Sequence, residues 1–378
     1  MKSYVFISSE MNLHQYFLSQ AFYRVTNGSY RYIELPGKVS VHKLIDWNTV
    51  PKPDYILRAE PDTSEYAECQ RLVNEADVVV TIGSIAGLKL CASRFRQGKL
   101  TFDYSERLFK RGQSIFWRAA YFAKYGLRLL FRQKNAHLLC ASAYSAGDYA
   151  SIGLFRNRSY KWGYFPETRH YADLNALFAQ KDAHTIVWVG RLIDLKHPEL
   201  PILLGERLKQ LDYKAEIQII GKGNMEDELQ EMITRKGLDD IVHLVGPLPA
   251  DETRKRMELA AIHLFTSDEN EGWGVVLNES MNSCCAVVAN DQIGSVPFLL
   301  INGENGIVIH ENDLDQMTKA VCRLLDNSDE RRRLGEAAYR ALSQEWSAQA
   351  AAERLVALAE TLEAGGSTPF SVGPCSPA

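Results

Sequence analysis

Short apolar runs alternate with longer amphipathic stretches along most of the chain. The first run, Tyr4-Val5-Phe6-Ile7, gives way to the polar Ser8-Ser9-Glu10-Met11-Asn12. Residues 54–57, 77–82, 99–102 and 137–140 have the same character, and a further strand is expected near Tyr160. Such short, β-branched-rich runs, spaced by helical stretches, predict βα units around a mostly parallel sheet. The rhythm returns more clearly at 184–189, 215–220, 241–245, 263–266, 286–289 and 306–309. Helices are predicted over 201–211 and 224–236, with Gly237 placed to end the second. Residues 347–362 form a last, Ala-rich amphipathic helix. The tail, 365–378, is Gly, Ser, Thr and Pro with little charge and is expected to be disordered. Each strand ends in Gly, Ser, Asn or a charged residue, which is where open α/β sheets bind their ligands.

At 378 residues the chain is too long for one core of ordinary size. Two α/β domains are expected, with the boundary at the turn-like Trp162-Gly163-Tyr164-Phe165-Pro166: 1–166 and 167–346. Charge separates the same halves. Residues 1–180 carry 24 Lys and Arg against 15 Asp and Glu, a net +9, and the remainder carries 19 against 32, a net −13. This asymmetry argues against a simple nucleic-acid binder. A composition of 46% hydrophobic and 24% charged residues excludes general disorder. The seven cysteines show no CxxC pair and no zinc spacing, so reduced thiols and a cytoplasmic compartment are expected. The N-terminus reads as a first strand rather than a leader, and no apolar run approaches the 18 residues of a membrane span.

Three groups of residues carry candidate chemistry. In Glu271-Gly272-Trp273-Gly274-Val275-Val276-Leu277-Asn278-Glu279, a glycine loop opens a helix near Val275. One carboxylate then lies in the loop and one a turn into the helix. Carboxylates accept hydrogen bonds from paired sugar hydroxyls, and free N–H groups at a helix start suit a phosphate. An acidic surface loop would look the same. Gly190-Arg191 with Lys196 follows a strand, where two cations suit a diphosphate. A solvated loop is the plainer reading. Gly221-Lys222-Gly223 also follows a strand, and such a Gly-x-Gly is usually a turn.

Taken in order, Gly190-Arg191…Lys196, Gly221-Lys222-Gly223, Val245-Gly246-Pro247-Leu248, Glu271…Glu279, Ile293-Gly294-Ser295-Val296-Pro297 and Asn302-Gly303-Glu304-Asn305-Gly306 resemble the family-four nucleotide-sugar-dependent glycosyltransferases of the GT-B fold. Within that family the chain is most similar to bacterial enzymes of capsular and exopolysaccharide assembly, a placement supported by the segments 104–112 and 161–167. The resemblance implies two Rossmann-like domains facing a central cleft, with the last helix packing back on the first domain. It implies a retaining transferase that needs no metal or other cofactor. Arg191 and Lys196 would hold the donor diphosphate, Glu271 the transferred sugar and Glu279 the ribose. Gly272, Trp273 and Gly274 would meet sugar and phosphate through the backbone. Val275, Val276 and Leu277 would open the helix toward the β-phosphate, Gly221 and the strand end at Val245-Gly246 would flank the base, and Gly190 would bind the donor beside Arg191. The chain departs from the family pattern at Cys284 and Ala286, where Gly then Pro are common, and at Phe298, where a Glu is common.

For the acceptor, His14 and Glu106 are the candidates at strand ends of the first domain. Residues 105–134 hold eight cations and one acid, Glu106, interleaved with aromatic and aliphatic residues. A core-facing helix with a solvated face would give this pattern. So would peripheral contact with an anionic membrane, as a saccharide acceptor on a polyprenyl diphosphate would require. Two rival functions stand beside the transferase. A GT-B sugar-nucleotide epimerase would need no acceptor. A non-catalytic two-domain sugar-binding protein would have no need of Arg191 and Lys196 beside paired glutamates.

Overall fold

A computed structural model describes residues 2–35, 51, 53–60, 63–83, 85–109 and 135–378. The chain divides into two compact units, Met1–Glu167 with Trp346–Ala378, and Thr168–Glu345.

The first unit is built on seven parallel strands: β1 (Tyr4–Ser8), β2 (Tyr30–Glu34), β3 (Ile56–Arg58), β4 (Val78–Ile82), β5 (Thr101–Ser105), β6 (Ala136–Cys140) and β7 (Ser159–Lys161). Their order is β3-β2-β1-β4-β5-β6-β7. β1, β5 and β6 are buried at every residue, as expected of strands covered on both faces. The helix Leu13–Val25 starts at a capping box in which the Asn12 side chain accepts from the Gln15 N–H and the Gln15 side chain accepts from the Asn12 N–H.

The second unit has six parallel strands: β8 (Asp182–Val189), β9 (Glu216–Ile220), β10 (Val242–Gly246), β11 (Ala260–Phe265), β12 (Ala286–Asn290) and β13 (Ile307–Ile309). Their order is β10-β9-β8-β11-β12-β13. The core joins Ile186, Trp188, Ile217, Ile262 and Val288 of the strands to Ile202, Leu229 and Val321 of the covering helices. Gly237 ends the helix Glu226–Lys236 at φ +63°. In both sheets the strand order reverses beside the first strand, between β1 and β4 and between β8 and β11. Such a reversal opens a crevice at the carboxyl ends of the strands.

Two expectations change. β2 was not legible as a strand, because its tyrosines alternate with charge. Their hydroxyls are instead satisfied by the helix Leu13–Val25: Tyr30 shares a hydrogen bond with Ser19 at 2.8 Å, and Tyr32 donates to Gln15 at 2.6 Å. The tail expected to be disordered pairs with the edge strand β7. Lys161 N–H donates to the Ser376 carbonyl (2.8 Å), Cys375 N–H to the Lys161 carbonyl (2.8 Å) and Ala378 N–H to the Ser159 carbonyl (3.1 Å). Arg354 of the last helix, Ala348–Glu363, lies 4.8 Å from the Phe370 ring centre and donates to the Val372 and Pro374 carbonyls. Backbone pairing at an open edge holds what composition alone leaves unstructured. All seven cysteines are free thiols. Among the described residues, no helix is long and apolar enough to cross a membrane.

Candidate active site

In the second unit the ends of β8, β9 and β10 are linked through their glycines. Gly190 N–H donates to the Ile220 carbonyl (3.0 Å), and Gly221 N–H to the Gly246 carbonyl (3.0 Å). Beyond them, Leu192 N–H donates to the Lys222 carbonyl (3.0 Å) and Met225 N–H to the Leu192 carbonyl (3.2 Å). The two loops therefore cross backbone against backbone. A Cβ on Gly221 would lie 1.8 Å from the Gly190 oxygen, and one on Gly223 would lie 2.1 Å from the Leu192 oxygen. This is why the Gly-x-Gly that reads as a turn must be glycine at both ends. Arg191 and Lys222 project from the crossing as exposed residues.

The loop then enters a short 3₁₀ turn, Asp194–Lys196, and runs alongside the loop after β11. Thr266 joins them: its hydroxyl accepts from the Trp188 indole N–H (2.8 Å) and donates to the Lys196 carbonyl (2.8 Å). Asp268 N–H donates to the Leu195 carbonyl (3.0 Å). This zipper brings the Lys196 ammonium onto Glu271, whose Oε2 also accepts from the Ser267 hydroxyl (3.1 Å). The two side chains are only 13% and 14% exposed, so the pair is weakly screened by solvent. His197, next in the chain, takes φ +49°. Its Nδ1 lies 2.8 Å from Glu199, and its Nε2 lies 3.6 Å from Asp268. The Glu199 hydrogen bond raises its pKa against the opposing effect of burial.

Gly274 has φ +76°, and a Cβ there would lie 2.2 Å from the Phe265 ring. It precedes the helix Val276–Asn282, which has Val275 at its N-cap and Glu279, half-buried, in its first turn. Val276 and Leu277 are buried in the core. Gly272 is also buried, and so is the Trp273 side chain, whose indole donates to Asn278 (2.9 Å) and whose ring lies 6.3 Å from Phe298. In this loop the backbone, not the Trp273 ring, is what a ligand can meet. The departures from the family pattern are accommodated. Cys284 takes φ +56°, the conformation that glycine adopts without strain, and packs on Leu177 and Tyr339. Phe298 packs its ring toward Trp273.

In the first unit, His14 lies in the first turn of the helix Leu13–Val25, and Glu106 directly follows β5. Tyr164, three residues beyond β7, links them. Its hydroxyl donates to Glu106 Oε1, and its ring stacks on His14 with centres 5.6 Å apart at 29°. Burial pushes His14 down to about pKa 4. Tyr164 was missed as a site residue although it stands in the segment 161–167; only its distant partners mark it. In the basic segment, Arg107 lies 4.9 Å from the Tyr144 ring centre and 3.8 Å from Asp148. Residues 110–134, which carry most of its cations, lie outside the described residues.

Residues 172–341 match the family described as glycosyl transferases group 1. That match lies within the second unit, Thr168–Glu345. A stretch of 172 residues is 27% identical to the D-inositol 3-phosphate glycosyltransferase of Corynebacterium aurimucosum, covering 44% of this chain and 40% of that protein. A stretch of 187 residues is 27% identical to the alpha-D-kanosaminyltransferase of Streptomyces kanamyceticus, covering 50% of this chain and 48% of that protein. The chain thus spans less than half the length of these curated relatives. Anabaena HepE, solved in complex with UDP, superposes over 96% of this chain and 100% of its own with a TM-score of 0.70 at 15% identity. That likeness is one of fold: the chain has the GT-B fold, with two Rossmann-like units.

Proposed function

We propose that the chain is a retaining glycosyltransferase that moves a sugar from a nucleotide-diphosphate donor to a saccharide acceptor in cell-surface polysaccharide assembly. The observation that carries this reading is the convergence, at the carboxyl ends of β8 and β11, of Lys196, Glu271 and the glycine crossing at Gly190 and Gly221. The backbone there lets a ligand approach closely, while a cation and a carboxylate of opposite task stand side by side.

In this reading Arg191 and Lys196 stabilise the charge that builds on the leaving diphosphate, so no metal or other cofactor is needed. Glu271 accepts hydrogen bonds from the transferred sugar and Glu279 from the ribose. The backbone of Gly272, Trp273 and Gly274 meets sugar and phosphate, and the turn at Val275, Val276 and Leu277 lies toward the β-phosphate. Gly246 flanks the base. His14 and Glu106 receive the acceptor. A polyprenyl-diphosphate-linked acceptor and peripheral contact with an anionic membrane through 105–134 account for the lopsided charge of that segment. The free thiols fit a cytoplasmic compartment.

The test is a panel of UDP-, GDP- and ADP-sugars. One donor class is expected to raise the melting temperature, by about 2.7 kcal/mol of stabilisation at a hundredfold excess over Kd. It should also release nucleoside diphosphate when saccharide acceptors are added. HepE has been solved with UDP-glucose, which makes UDP-sugars the first choice. Interconversion of the free sugar nucleotide without an acceptor would point to an epimerase instead. Binding without any turnover would point to a sugar-binding protein.

A further inference from the structure

The side chain that joins the two acceptor candidates has no role in the reading above, yet its neighbours on both sides are packed into the interior of the first unit. Tyr164 sits between Trp162 and Phe165, both essentially fully buried, with ring centres 4.9 Å apart at 71°. The peptide before it is fixed from β5: the buried Tyr104 donates its hydroxyl to the Gly163 carbonyl at 2.8 Å, and the Tyr104 ring lies 6.0 Å from that of Tyr164. Tyr164 itself is only half-buried. Its phenol reaches Glu106, after β5, and its ring covers His14, after β1. Three strand ends of one parallel sheet are thereby tied together by a single side chain, on the edge where such sheets bind ligands.

A carboxylate on a loop turns freely about its side-chain bonds and selects hydroxyls poorly. The phenolic hydrogen bond to Oε1 restrains the rotation of the Glu106 carboxylate, and a carboxylate has several lone-pair directions for further donors. The stacked pair of Tyr164 and His14 places a flat aromatic wall beside it. A carboxylate held in one orientation next to an aromatic wall is suited to a pyranose, which offers adjacent hydroxyls together with apolar C–H faces.

We propose that Tyr164 is a positioning residue that orients Glu106 to accept hydrogen bonds from the hydroxyls of a saccharide bound in the first unit. This rests on the acceptor role given to Glu106 in the proposed function. It goes further by naming the group that sets the carboxylate's direction and the ligand chemistry that direction selects.

The test uses the full chain and methyl glycosides of glucose, galactose and mannose as probes, observed by saturation-transfer NMR. Wild type is expected to bind at least one of them. Tyr164→Phe removes only the hydroxyl and is expected to weaken that binding at least tenfold, as is Glu106→Gln. The double variant should bind no more weakly than either single one, because both act through the same hydrogen bond. Thermal stabilisation by UDP should be equal in all four proteins, which separates orientation of Glu106 from general loss of structure. Unchanged binding in Tyr164→Phe, additive losses in the double variant, or a wild type that binds none of the glycosides overturns the proposal. Glycoside binding that depends on Tyr164, in a chain that cleaves no donor, would sustain the proposal and refute the transferase.

Discussion

Lys196 and Glu271, 75 residues apart in sequence, form an ion pair inside one loop junction. The residue proposed to neutralise the diphosphate and the residue proposed to hold the sugar therefore also hold each other. Lys196→Ala and Glu271→Ala are each expected to reduce transfer by about 10²- to 10³-fold, the usual cost of removing one preorganised electrostatic partner. Circular dichroism should be unchanged. Each variant leaves a partly buried charge without its mate, so a lowered melting temperature should accompany the kinetic loss. Normal transfer by both variants would remove these residues from the site.

His263 lies in the middle of β11, between β8 and β12, fully buried, and neither ring nitrogen has a hydrogen-bond partner among the described residues. Burial pushes it down to about pKa 3. Because the folded pKa is below the unfolded value near 6.5, the unfolded chain takes up the proton first as pH falls. The stability at stake is fully present above pH 6.5 and is lost progressively toward pH 3. Between pH 6.5 and 5 the loss is about 2 kcal/mol. His14 and His137, both pushed down to about 4, act in the same direction. His263→Leu should remove one of these contributions. Denaturation midpoints at pH 7.5 and pH 5 should differ less in this variant than in wild type, with no loss at the higher pH.

Cys284 combines a left-handed backbone with a buried side chain. Alanine there keeps the strained backbone and loses the packing. Glycine loses the packing but relieves about 1 kcal/mol of strain. The melting temperature of Cys284→Gly should therefore exceed that of Cys284→Ala, the reverse of the usual order of the two residues. Equal or inverted values would mean that packing on Leu177 and Tyr339 decides the site alone.

The tail covers the edge of β7 with main-chain hydrogen bonds and buries Cys375 and Ser376. Deleting 366–378 is expected to lower the melting temperature by roughly 2–4 °C for each kcal/mol lost. It should also produce concentration-dependent association, visible by light scattering, because an unpaired edge templates further strands. Arg354→Ala, which loosens the tail from the last helix, should show a smaller effect in the same direction.

Much of the parallel architecture was legible because strands buried on both faces leave continuous apolar runs in the sequence. The runs 184–189, 215–220, 241–245 and 263–266 each overlap a strand of the second sheet. β2 escaped because the partners of Tyr30 and Tyr32 lie on a neighbouring helix. The tail escaped because backbone pairing leaves no trace in side-chain composition. The glycine loops and cations of the second unit were visible as local spacing, whereas the closure of Lys196 on Glu271 depends on Thr266 and Asp268 joining distant loops. Tyr164 was hidden for the same reason. Nothing near it in sequence points to Glu106 or His14.

The crossing of 190–192 with 221–223 separates what can vary in this site from what cannot. Its frame is made of peptide groups, so one methyl group at 221 or 223 would force two strand ends apart. The side chains of Arg191 and Lys222 stand outside that frame and can be exchanged without moving it. In the proposed reading Arg191 stays tied to the diphosphate that every such donor carries, which leaves 222 as the position where one side chain can change beside the site while the frame keeps its shape.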